Sequence, residues 1–338
     1  MMSDAPLIPA SASAASSPSR GRMPPWVGLL LRAGGTAALM TFALRTVEWQ
    51  QLFSLFRTID WAWWLVALGV AIFGQTIAAV RWAALARPLG FPLPTSVFIR
   101  RFFEGAFFSL CLPSSIGGDV IKAYRLSDST SGRLLAGCTV LADRLSGLTA
   151  LGVLAGTALV AMEWSLPWFQ TLLVGTGLLL AAWIPMRLGL ASLNRLAGFF
   201  PEGHPAKRFI AQLLPYQEQP GLLTNAFFWS LLVQVGSTFT VVLVGKCLGV
   251  TLPVVTWFAV VPLVALAMVL PISVSGVGIR EGGLAFLLAP HGVAAEKAVA
   301  LGLLWFLTTI CCGLVGGVFF LLDRHPHFTT APTSTSSR

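Results

Sequence analysis

The sequence predicts an all-α integral membrane protein: a polytopic bundle of about six full spans plus two broken, re-entrant helical hairpins in pseudo-inverted repeats. Three observations predict it. Of 338 residues, 56% are hydrophobic and only 10% charged, against roughly 25% charged in soluble domains. So little charge cannot cover a water-facing surface, which excludes a water-soluble enzyme and gives the apolar excess to lipid. Six apolar stretches reach the roughly 20 residues that a helix needs to cross the hydrocarbon core. Two further apolar regions are interrupted by proline and glycine, and the two interruptions read alike.

Residues 1–25 are Ser/Ala/Pro-rich without apolar periodicity and are expected to form a disordered cytoplasmic tail. The apolar run from Trp26 is too long for the core of a cleaved signal and is expected to be an uncleaved anchor. Full spans are expected at 26–44 (with Arg32 inside), 61–80, 134–162, 164–186, 222–245 and 298–322. Region 102–118 is short, contains Glu104, and breaks at Pro113 and at Gly117-Gly118. Region 247–279 runs thirty-three residues without a charge, carries Pro253, Pro262 and Pro271, and ends in VSGVGIREGG. A single helix of that length overshoots the bilayer, and those residues would break it. Each region is expected to fold as two half-helices, or as a span meeting a re-entrant segment.

The formal charge of +9 comes from basic residues scattered between apolar runs. That is a topology signal rather than a nucleic-acid footprint, and no nucleic-acid partner is expected. Arg20 and Arg22 place the amino terminus in the cytoplasm; Arg81, Arg87, Arg100 and Arg101 place the end of the second span there. Lys122, Arg125 and Arg133 do the same for the exit of the first broken region. The expected transmembrane domain is 26–322, with halves of about 26–186 and 222–322, a cytoplasmic loop at 187–221 and a disordered tail at 323–338. Both termini then face the cytoplasm of a bacterial-type inner membrane. The cysteines Cys111, Cys138, Cys247, Cys311 and Cys312 lack ligand spacing and read as small hydrophobes.

The two breaks carry the chemistry. One reads LPSSIGGDVIK from Leu112, the other LPISVSGVGIRE from Leu270. Both run Leu-Pro-x-Ser, then glycines, then an acid and a base. Paired interrupted segments in corresponding halves point to a transporter's midplane site. Broken helix ends offer free amides and a positive dipole end to an anion, and glycines permit close approach. A packing kink is the plain alternative. Charges inside apolar segments must face the interior and pair, because each costs roughly 2.5–3.5 kcal/mol at the bilayer centre. The expected headgroup cavity comprises Ser115, Gly117, Gly118, Asp119, Lys122, Asp143, Arg144, Ser273, Ser275, Gly276, Gly278, Arg280 and Glu281. Arg280, Arg144 or Lys122 would be counter-ions for a phosphate headgroup, organised by Asp119, Asp143 and Glu281; a structural ion-pair network is the alternative. No catalytic residue, metal ligand or cofactor is expected, since the chain has no Walker loop, GxSxG or HExxH.

LPSSIGGDVIKAYRL, ADRLSGLTALGVL and LPISVSGVGIREGG, in this order, resemble the flippase-like membrane domain of lysylphosphatidylglycerol synthase/flippase proteins, over about residues 26–322. The resemblance implies a lipid translocator with re-entrant helices around a central cavity and membrane lipid as substrate. Only sixteen residues follow Leu322, so the soluble synthase domain of bifunctional members is not expected. Relatives without it imply hopanoid or polyprenyl-linked cargo. Lys122 stands where the family commonly has arginine, which keeps the charge and loses the bidentate fork. The expected function is translocation of an anionic or lipid-linked headgroup without ATP hydrolysis and without enzymatic activity. A membrane enzyme acting on lipid-linked phosphates and a non-transporting regulatory protein are the alternatives. The protein partners left open are a second copy of the chain and a lipid-biosynthetic enzyme.

Overall fold

In hydrocarbon a backbone can satisfy its own polar groups only by helical bonding or in a closed barrel. A computed structural model, describing residues 25–45, 47–111, 117–127, 129–163, 167–270 and 272–323, shows helices throughout and no strand among those residues. In chain order they are α1 (Pro25–Leu44), α2 (Trp49–Arg57), α3 (Trp61–Ala86), α4 (Thr95–Cys111), α5 (Gly117–Leu126), α6 (Thr130–Glu163) and α7 (Trp168–Ala191). They continue as α8 (Leu193–Gly198), α9 (Pro205–Glu218), α10 (Pro220–Cys247), α11 (Val254–Val269), α12 (Ile279–Leu288) and α13 (Ala295–Leu322). Five expected spans fall wholly on helices, and the span expected at 164–186 falls on α7 from Trp168 onward. Among the described residues, four are long and apolar enough to cross a membrane, within α3, α6, α10 and α13.

The interrupted regions form two helical hairpins, α4–α5 and α11–α12. Gly118 meets Gly105, and Lys122 lies over Phe102, so α5 runs back along α4. Gly283 meets Val264 and Gly276 meets Met268, so α12 runs back along α11. The same reading makes α3 antiparallel to α10, through Arg81–Ser230 and Trp63–Lys246. It also makes α13 antiparallel to both α4 and α12, and α6 antiparallel to α3. Each helix of α3–α6 therefore opposes its counterpart in α10–α13. The packing obeys the same exchange: α4 packs on α13 as α11 packs on α6. The repeat is thus inverted, and its two hairpins point toward opposite ends of the bundle.

Small residues set the helix spacing. A Cβ on Gly316 would collide with the Phe103 carbonyl oxygen, and one on Gly313 with the Leu110 side chain, so α13 and α4 touch almost backbone to backbone. Gly316→Ala is expected to force these helices apart and destabilise the protein by about 1–3 kcal/mol. A lowered midpoint of thermal unfolding in detergent would register it. Around this seam Trp82 packs edge-on to Phe98, with ring centroids 5.0 Å apart, and Trp257 fills the opposite cluster against Val260 and Leu284.

Several boundaries differ from expectation, three of them with consequences for the site or its surroundings. α3 continues past Val80 to Ala86 because RWAALA keeps helical propensity and Arg81 finds a buried carboxylate. Residues 187–221 are not one loop: α7 extends to Ala191, and α8 and α9 follow. Tyr216 on α9 is buried and donates its hydroxyl to the Leu85 carbonyl at 3.0 Å, pinning α9 to the end of α3. The first broken region begins at Thr95 rather than Phe102, since TSVFIR already follows helical periodicity. Apart from Pro25 and Asp323, the expected tails at 1–25 and 323–338 lie outside the described residues, as do Pro113, Ser115 and Pro271.

Candidate functional site

The two hairpins, together with α3, α6, α10 and α13, enclose a cavity of about 540 Å³. Its described wall carries the cations Arg81, Lys122, Arg144 and Arg280 against a single carboxylate, Asp143. Consecutive residues on a helix point about 100° apart, and Asp143 and Arg144 accordingly serve different neighbours. Arg144 Nε donates to Asp119 Oδ2 on α5 at 2.7 Å. Lys122 Nζ, one turn from Asp119, lies 3.2 Å from Oδ1 of the same carboxylate. One acid thus holds two cations, and the trio stays net positive. Asp143 accepts instead from Arg81 Nε at 2.8 Å, while Arg81 Nη1 donates to Ser230 Oγ on α10 at 2.8 Å.

Arg280 differs from the other cations in having no acid on its guanidinium. It is 1% exposed, and its Nη2 donates to the Ser275 carbonyl at 3.1 Å. Nε and Nη1 have no hydrogen-bond partner among the described residues. The guanidinium sits 5.3 Å from the Trp305 ring and 4.9 Å from the Phe306 ring. The neighbouring Glu281 does not turn to it. Glu281 Oε2 accepts from the Gly278 amide at 2.6 Å and caps its own helix. The turn that permits this needs left-handed backbone at Ser275, Gly276 and Gly278, with φ of 53°, 76° and 87°. A buried guanidinium with unused donors is costly unless something in the cavity accepts from them.

Of the residues singled out from sequence, Lys122, Asp143, Arg144, Ser273, Ser275, Gly276 and Arg280 line the cavity. Asp119 stands behind the wall and sets Lys122 and Arg144. Gly118 is a packing residue, since a Cβ there would strike the Gly105 carbonyl. Gly117, Gly278 and Glu281 are not in the wall, and Ser115 lies outside the described residues. The expectation that Glu281 organises the cations is corrected by its bond to Gly278, which also takes an amide the helix end would otherwise offer. Sequence reasoning missed Arg81, Gln75, Gln234, Trp305 and Phe306, all cavity-lining. Gln75 and Gln234 were visible as lone amides in apolar spans; Arg81 was read as a topology signal and lies inside the bundle. No group of three or more potential metal ligands gathers among the described residues.

A second charged cluster stands apart, at the end of the bundle where α4 begins and α13 finishes. Glu104, fully buried, accepts from Arg101 at 2.9 Å and Arg125 at 2.8 Å, with Arg100 at 3.3 Å. Asp323, one residue past α13, takes the same three arginines at 2.9–3.1 Å. Burial alone would raise the Asp323 carboxyl, but the three guanidinium groups outweigh it and hold it below its ordinary value of 3.8. Because its folded value is depressed, its stabilising contribution is present above the unfolded value and lost as pH falls through the folded one. Thermal stability in detergent is therefore expected to fall as pH drops below about 4, and Asp323→Asn to flatten that part of the profile.

Compared with known families, residues 26–317 match the family described as lysylphosphatidylglycerol synthase TM region, which is most of the chain. No curated protein matches the chain significantly.

Proposed function

The chain belongs to the lysylphosphatidylglycerol synthase TM region family, a multi-pass membrane family related to lipid handling, and from that premise we propose that it translocates an anionic lipid headgroup across the membrane without altering it. The observation that carries this reading is Arg280, a buried guanidinium facing the cavity with two donor atoms unused. A phosphate oxygen would accept from one of those donors, and Lys122 and Arg144 supply further positive charge on the same cavity. Headgroup hydration would be replaced by fixed donors while the acyl chains stay in the bilayer. Arg87, Arg100, Arg101, Arg125 and Arg133 gather at one end of the bundle, which supports a cytoplasmic placement of that end in a bacterial-type inner membrane. The cargo classes in view are anionic phospholipids and hopanoid or polyprenyl-linked lipids.

The test is reconstitution into vesicles carrying a trace of tail-labelled lipid in one leaflet, with leaflet occupancy followed over time and lipids recovered for mass spectrometry. Translocation above protein-free vesicles, with chemically unchanged lipid, is the expected result. Accumulation of a modified lipid would replace translocation with enzymatic action. No movement of any anionic lipid would end the reading.

A further inference from the structure

A second cavity of about 150 Å³ lies among α3, α10 and α13. It adjoins the cationic one, sharing Gln75, Gln234, Trp305 and Thr309 as a common wall. Its lining has a different chemistry, with no ionisable group apart from the thiol of Cys312. Thr240, Thr308 and Thr309 each spend their hydroxyl hydrogen on the carbonyl four residues back, at 3.0, 2.9 and 3.1 Å. Gln234 spends an amide hydrogen on the Gly147 carbonyl at 3.2 Å. What the threonines leave is oxygen lone pairs, while Gln75, Gln234 and Ser237 in the same lining offer both lone pairs and hydrogens. The chamber therefore suits neutral groups that bring donors and can also accept, beside a chamber that seeks an anion.

Two kinds of headgroup bring donors, hydroxyls and ammonium groups, and the charges decide between them. Asp143 is held by Arg81, Asp119 by Lys122 and Arg144, and Glu281 by its own helix amide. The one carboxylate in the cavity wall, Asp143, is taken by Arg81, and Glu281, whose Oε1 has no hydrogen-bond partner among the described residues, lies outside that wall, so an ammonium would enter beside four cations. Resting on the translocation reading, we propose that the lipid carries a neutral, hydroxyl-bearing group on its phosphate: the phosphate goes to Arg280, and its glycerol or sugar hydroxyls donate into the Gln75–Gln234–Thr308–Thr309 chamber. The same surplus of positive charge disfavours a cationic aminoacyl headgroup.

Native mass spectrometry of the full chain with dioctanoyl lipids tests this. The probes are phosphatidylglycerol, phosphatidylinositol, phosphatidic acid, phosphatidylethanolamine and the lysyl ester of phosphatidylglycerol. Each hydroxyl–acceptor bond is worth roughly 2- to 12-fold in affinity. The glycerol or inositol lipid is therefore expected to be retained about tenfold over the two ammonium-bearing lipids. Glycerol above inositol would assign a polyol, and the reverse a sugar. Thr240→Val with Thr308→Val should cut the preference for phosphatidylglycerol over phosphatidic acid by roughly fivefold; Ser237→Ala serves the same purpose if that pair fails to fold. Equal retention of ammonium-bearing lipids, or a preference unmoved by the folded variants, overturns the proposal. Hydroxyl selectivity without movement in vesicles would instead sink translocation and leave the headgroup assignment standing.

Discussion

Arg280→Ala is expected to lower translocation of an anionic lipid by roughly 30-fold or more, since truncating one partner of a buried charged hydrogen bond costs at least about 2 kcal/mol. The stability readout should go the other way. Arg280 carries a buried charge with no carboxylate on it and two donor atoms unused, so its removal relieves a desolvation cost that offsets the lost contacts to Trp305, Phe306 and the Ser275 carbonyl, and thermal unfolding in detergent should hold or rise. Loss of transport with retained stability separates a ligand-binding residue from a structural one. Arg280→Lys should fall between, keeping the charge and losing the fork. Asp119→Asn should reduce transport less, because it acts only by freeing Lys122 and Arg144. Normal vesicle transport in Arg280→Ala would remove the central support for the headgroup site.

Glu104→Ala is expected to give the largest loss of stability, about 2–3 kcal/mol. Removing Glu104 leaves three guanidinium groups to the single carboxylate of Asp323. The figure is kept below the full range because Arg100, Arg101 and Arg125 are 15–33% exposed and partly screened. The site of failure should be specific: the start of α4 would lose its tie to the end of α5, the bond from Arg125 to Glu104. Arg125→Ala added to Glu104→Ala should cost less than the sum of the two, and thermal unfolding of the single and double variants measures the difference. Strict additivity would show that the two residues do not act as one cluster.

Much of this was legible because membrane helices advertise themselves. Uninterrupted apolar runs gave α1, α3, α6, α7, α10 and α13, and Pro-Gly interruptions located both hairpins. Asp119, Lys122, Asp143, Arg144 and Arg280 stood out as charges in apolar surroundings. What a linear pattern does not carry is partnership. Asp119 and Arg144 meet across two helices, and nothing in their spacing separates that pairing from Asp119 with Arg280. Glu281 next to Arg280 looks like an ion pair; only the left-handed turn at Gly278 reveals that the carboxylate caps its own helix. Arg81 looked terminal because the apolar run stops there, while helix propensity continues. Residues 187–221 looked like a loop because amphipathic helices at a surface lack the unbroken hydrophobicity of a span.

The opposed pairing of α3–α6 with α10–α13 has a thermodynamic corollary. When two halves of a chain are inverted copies, exchanging their conformations yields a second arrangement built from nearly the same contacts, so the two states differ little in free energy. A carrier balanced in this way obeys detailed balance. It speeds equilibration in both directions and has no preferred sense of its own. In the proposed cycle net flux would be set by whatever makes lipid at one face and consumes it at the other. The small differences between the halves, an acid-bridged Lys122–Arg144 pair in one and an acid-free Arg280 in the other, would set only where the empty carrier rests.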